Sequence, residues 1–135
     1  MSFALRLLVP AIVLVTAMPV SAGDFTLLRQ EIAAARQALV TMVLYREKRG
    51  PEQQKLVKDT ADRVSASFAK LSAPNGKTAE FKELKGTWDA FKQTREKELV
   101  PAILANEKEK YERIGAGIQK VRLDRMYALI DILEK

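Results

Sequence analysis

The chain has 135 residues, with 23 Lys and Arg against 17 Asp and Glu and a formal net charge of +6. That length holds one domain. Neither cysteine nor histidine occurs, which removes disulfides, thiolate nucleophiles, zinc fingers, axial haem histidines and the commonest general base near neutral pH. An enzyme would have to work with Asp, Glu, Lys, Arg or Tyr alone, so we read the chain as non-enzymatic, without metal or cofactor. The cations alternate with acids and form no basic-aromatic groove, so nucleic acid is not an expected partner.

Residues 1–22 read MSFALRLLVPAIVLVTAMPVSA. Arg6 precedes an apolar run from Leu7 to Val20, and Val20-Ser21-Ala22 offers a small-residue cleavage position. This is the pattern of a secretory signal peptide cut between Ala22 and Gly23. The alternative is an uncleaved N-terminal anchor, although the run is short for a span and is interrupted by Pro10 and Pro19. No second run of spanning length follows, so the cleaved chain is expected to be periplasmic or secreted and to hold no membrane span.

Phe25, Leu28, Ile32, Ala35, Leu39 and Met42 recur at spacings of three and four, which predicts a helix over 24–49. Asp24 suits its N-terminus, and Arg46, Lys48 and Arg49 suit its C-terminus. Gly50 is expected as a left-handed stop, and Pro51 as the first residue of the next helix. That second helix, over 51–72, carries Val57, Ala61, Val64, Phe68 and Leu71. Pro74 and Asn75-Gly76 then mark a turn.

A third helix is predicted over 78–104, with Phe81, Leu84, Trp88 and Phe91 on its stripe and Arg95 at the next stripe position. Leu99, Val100, Ile103 and Leu104 resume the stripe, and Pro101 demands a kink or a short turn. Asn106 with Glu109 three residues on resembles a capping box, which starts a fourth helix over 106–134. Tyr111, Ile114, Ile118, Val121, Leu129 and Ile132 form its expected stripe, with Arg125 and Met126 filling the gap. Gly115 and Gly117 inside it cost about 1 kcal/mol each relative to Ala. They permit a close helix crossing or mark a soft spot. Four such stripes joined by short breaks imply an all-α, antiparallel up-down-up-down four-helix bundle, a thin rod that gains from forming a homodimer.

The string Trp88-x-x-Phe91-x-x-x-Arg95, then LVPAIL at 99–104, then Gly117-Ile118-Gln119 and Arg122, resembles the four-helix-bundle sensor domain of methyl-accepting chemotaxis receptors. The similarity covers nearly all of 24–135. It implies a ligand-binding, signal-transducing domain that holds small acids. A full receptor continues into a second membrane span and a cytoplasmic coiled coil. The sequence ends at Lys135, so the expectation is a stand-alone sensing module that passes its ligand state to a membrane receptor.

Arg95 is the leading candidate because a guanidinium on an apolar stripe needs an acid from a neighbouring helix, a route to water, or a ligand carboxylate. Arg36, Arg122 and Arg125 fall at comparable depth if the bundle is up-down-up-down, with Asp124, Asp131 and Glu31 as ordinary partners. Trp88 serves as core or as a ligand wall. Met42 and Met126 read as core filling. Beside the sensor reading stand a structural or interaction module, such as a periplasmic adaptor or chaperone-like protein, and a truncated receptor remnant without ligand.

Overall fold

The computed structural model describes residues 22–135, and the signal-peptide reading of 1–22 lies outside them except for Ala22, which opens the first helix. Among the described residues every regular element is helical. In order these are α1 (Ala22–Leu44), a 3-10 turn (Arg46–Lys48), α2 (Pro51–Lys70), α3 (Thr78–Thr94), a π turn (Arg95–Leu99), α4 (Val100–Leu104), α5 (Lys108–Ala116) and α6 (Ile118–Leu133). They make four rods: α1, α2, the run from α3 through α4, and α5 with α6. No helix among the described residues is long and apolar enough to cross a membrane.

The predicted stripes mostly bury along the first three rods, with Leu71, Phe81 and Val100 half-buried and Leu104, at the end of the third rod, exposed. Phe25, Leu28, Ile32, Val64, Phe68, Leu84 and Trp88 join Met126, Leu129, Ile130 and Leu133 in one core. A second core gathers Leu39, Met42, Val57, Leu99, Ala102, Ile103 and Tyr111. Each fully buried Leu, Ile or Phe contributes roughly 1.5–3 kcal/mol relative to exposure. α1 packs mainly on α2, and α3 on α6.

The joints differ from expectation in instructive ways. α1 stops at Leu44, five residues early, and Tyr45 is extended at φ −121° and ψ 103°. A helix end leaves its last carbonyls without N–H partners. Here the Tyr45 N–H takes the Thr41 carbonyl, and one side chain takes two more. Arg49 Nε donates to the Met42 carbonyl at 2.7 Å, and its Nη2 to that of Val43 at 3.1 Å. Gly50 is therefore not a left-handed stop. Its φ of −78° and ψ of 179° are extended, and it forms the N-cap of α2 with Pro51 as first residue. Gly76 does need its glycine, with φ +75° in a turn closed by the Lys77 N–H on the Pro74 carbonyl.

Asn106 does not cap the fourth rod. It adopts φ +56°, the rod starts after Glu107, and no side chain caps it. The Asn106 Oδ1 instead accepts from Arg46 at 3.0 Å and from Arg49 at 3.3 Å, tying this turn to the end of α1.

The fourth rod breaks at Gly117, where φ −96° and ψ −110° are not helical. The glycine meets no neighbouring helix. A Cβ there would lie 2.6 Å from the Arg113 carbonyl of its own chain, whereas Gly115 has open space. The break resets the helical register, so the stripe does not run through. Ile118 and Val121, expected inside, are exposed, and Gln119 is buried in their place.

Candidate functional site

Pro101 shapes the site from a distance. It has no N–H for the Lys97 carbonyl, and its ring crowds that carbonyl. The helix widens immediately before it: the Val100 N–H reaches the Arg95 carbonyl, five residues back. Single π turns of this kind occur often at functional sites because the extra residue re-aims the side chains around it. Arg95 is the first residue of the turn and is fully buried.

The guanidinium is poorly satisfied. Its Nη2 donates to the Val57 carbonyl at 3.0 Å, an acceptor that the Thr60 hydroxyl shares at 3.2 Å. Its Nε and Nη1 have no hydrogen-bond partner. Of the three fates open to this arginine, two are not realised. It does not reach water, and it forms no salt bridge among the described residues. Glu96 next to it is exposed and lies 3.6 Å from Lys92. Burial pushes the Arg95 pKa down to about 10, and the charge of Glu96 opposes this only in part.

A cavity of about 520 Å³ lies against this side chain, a volume in the range of small-molecule sites. α2 lines it with Gln54, Lys55, Val57 and Lys58, and the third rod with Arg95, Glu96 and Val100. Two lysines therefore sit above a buried arginine, but both are engaged. Lys55 pairs with Asp59, and Lys58 with Asp62. Asp62 also receives Lys92 at 2.9 Å. The hydrogen bonds from Lys58 and Lys92 hold the Asp62 carboxyl below its ordinary pKa, and the bond to Asp62 raises those of both lysines.

The other residues singled out from the sequence lie elsewhere. Trp88 is fully buried in the first core against Phe91, and its Nε1 donates to the Ser65 hydroxyl at 3.0 Å. Arg125 forms a two-point ion pair with Glu83. Arg36 is exposed on α1. Arg122 comes nearest in role, because its Nη1 donates to the Thr94 hydroxyl at 2.8 Å and to Gln119 Oε1 at 3.0 Å. Gln119 Nε2 in turn donates to the Phe91 carbonyl at 2.9 Å. Arg122 and Gln119 thus brace the helix just before the π turn without touching the cavity. None of Trp88, Arg36, Arg122 and Arg125 lines the cavity with Arg95.

Sequence reasoning missed the α2 wall. Val57 carried a signal as a stripe residue, but Gln54, Lys55 and Lys58 read as ordinary solvated positions. No group of His, Cys, Asp or Glu among the described residues could hold a metal ion. Comparison with known proteins gives no match: no family model, no curated protein and no solved structure is significantly similar to this chain.

Proposed function

We propose that this chain is an exported, non-enzymatic four-helix bundle that binds a small organic acid, with Arg95 as the anchor. One observation carries the reading. Among the described residues, a fully buried guanidinium lies against a cavity with two nitrogens unpartnered and no salt bridge to neutralise it. Buried donors left unpaired cost about 1–3 kcal/mol each, more when charged, and a bound carboxylate removes that cost. Nε, Nη1 and one Nη2 hydrogen have no partner, so one edge of the fork keeps two free N–H groups for a bidentate carboxylate.

The rods are antiparallel in up-down-up-down order in this reading. Support comes from the pairing of α1 with α6, where Thr26 meets Glu134 and Arg29 meets Asp131, so that one number rises as the other falls. Export rests on the signal-peptide pattern of 1–22, and a sensing role in the periplasm rests on the resemblance to chemoreceptor sensor domains. A membrane receptor or a second copy would then receive the ligand signal.

A second reading, as an interaction module, draws on Leu44, Tyr45 and Leu104. These exposed apolar side chains stand at the ends of α1 and α4, which Arg46, Arg49 and Asn106 tie together. The test is a titration of the full chain with organic acids. Saturable binding that vanishes in Arg95→Ala at unchanged helicity supports the first reading. Indifference to every acid, together with concentration-dependent self-association lost in Leu44→Glu, supports the second.

A further inference from the structure

The acid-binding reading leaves open which acids the Arg95 cavity accepts, and the charges around it bear on that choice. The inference here rests on that reading. At the mouth Lys55, Lys58 and Glu96 line the cavity; Lys55 pairs with Asp59, Lys58 with Asp62, and Lys92 outside the lining with Asp62 and Glu96. The mouth is therefore charge-balanced. The floor holds one unbalanced cation, Arg95, whose single acceptor is a peptide carbonyl. Of the remaining wall, Val57 and Val100 are apolar, Gln54 spends its amide N–H on the Arg49 carbonyl, and the lysine stems add methylene surface.

We infer that the cavity selects a monocarboxylate with an apolar body, the carboxylate on the Arg95 fork and the body between Val57 and Val100. One anionic charge neutralises the floor. A second charge, on a dicarboxylate or a doubly ionised phosphate, would have to sit among lysines that Asp59 and Asp62 already occupy. There it would find no free cation among the described lining residues and would meet the carboxylates of Asp59, Asp62 and Glu96. The pocket is open to solvent, and Lys55 and Lys58 stand exposed at its edge.

The experiment is calorimetric titration of the full chain with octanoate, phenylacetate, adipate, inorganic phosphate and octanol. Octanoate and phenylacetate should saturate one site per chain, adipate and phosphate should bind at least about tenfold more weakly, and octanol should not saturate. Arg95→Met should weaken octanoate roughly 100-fold, the loss expected for a charge-assisted pair of hydrogen bonds. Asp59→Asn with Asp62→Asn frees both mouth lysines and should raise adipate affinity about tenfold. Should Arg95→Met fail to fold, Val100→Trp, which narrows the cavity and leaves the guanidinium in place, must lower octanoate affinity by a similar factor.

Adipate or phosphate binding more tightly than octanoate, with the same dependence on Arg95, would overturn the ligand class and leave the acid-binding reading intact. Octanol binding as well as octanoate would remove the guanidinium as anchor. If no acid binds in an Arg95-dependent way, both the inference and the reading beneath it fall.

Discussion

The two cores of this protein are built to different rules. The first, around Trp88, is formed by uninterrupted helix and is almost wholly apolar, and the indole N–H of Trp88 has its partner in Ser65. The second, around Ile103 and Tyr111, adjoins the π turn, the Asn106 turn at φ +56° and the α5 segment that ends at the Gly117 break. Beside it lies Arg95, buried and two-thirds unpaired by nitrogen count. One region is arranged to hold the fold together, and the other tolerates a desolvated charge that it could discard. A strained or unsatisfied feature of this kind is a mark of a functional site when the rest of the molecule is locally consistent.

The comparison can be broken first in the Trp88 region. Trp88→Ala should destabilise the protein by about 3–5 kcal/mol, the usual loss for a large buried aromatic, read from urea denaturation. It should leave no trace on the acid specificity of folded molecules. A loss below 1 kcal/mol would show that this core is not the stabilising one.

Arg95→Met should act with the opposite sign. Replacing a desolvated, poorly paired charge with an apolar chain should stabilise by about 1–3 kcal/mol, the cost of a buried donor left unsatisfied. The pKa offers a second handle. Burial holds the folded value down at about 10, below that of the free group, so the charged form is disfavoured in the folded state. That penalty is fully present below pH 10 and fades as pH rises above 10 toward the value of the free group. The advantage of Arg95→Met over the parent should therefore be flat from pH 7 to 9. Above pH 10 it should shrink by roughly 1 kcal/mol per pH unit. Denaturation curves of both proteins at pH 8 and pH 11 check it.

The two glycines of the fourth rod sharpen the contrast at smaller scale. Gly117→Ala places a Cβ against the Arg113 carbonyl in a non-helical backbone and should cost about 1–3 kcal/mol. Gly115→Ala, two residues away in ordinary helix with space around it, should stabilise by about 0.5–1 kcal/mol. Thermal melts of the pair should move in opposite directions. Smallest of all, Asp62→Asn should cost under about 1 kcal/mol because the cluster is solvent-exposed. Since the Asp62 pKa is depressed in the folded state, even that difference should vanish as pH falls through its folded value.

Much of this fold was legible because apolar spacing is a strong helical signal. Phe25 through Met42 and Leu84 through Phe91 could be placed inside from their intervals alone, and Arg95 stood out because it occupied the next interval. Pro51 and Asn75-Gly76 were readable for the same reason, since each residue type has few backbone options. The joints were not legible, because there several residues compete for the same orphan carbonyls. Nothing local says that Arg49 will gather the end of α1, or that Asn106 will accept from two arginines rather than cap a helix. Gly115 and Gly117 have equal propensities and differ only in the backbone angles that packing imposes. The cavity wall was hidden for a further reason. Gln54, Lys55 and Lys58 face Arg95 only once α2 is docked beside the π turn, and that turn comes from an inserted residue that leaves the stripe pattern unbroken.

The most direct measurement of the central claim is thermal denaturation of the parent and of Arg95→Met, each with and without octanoate. The variant should melt higher than the unliganded parent, and octanoate should raise the melting temperature of the parent alone. A variant that melts lower and is stabilised by octanoate as much as the parent would contradict it, because Arg95 would then be a structural residue rather than a charge held for a ligand.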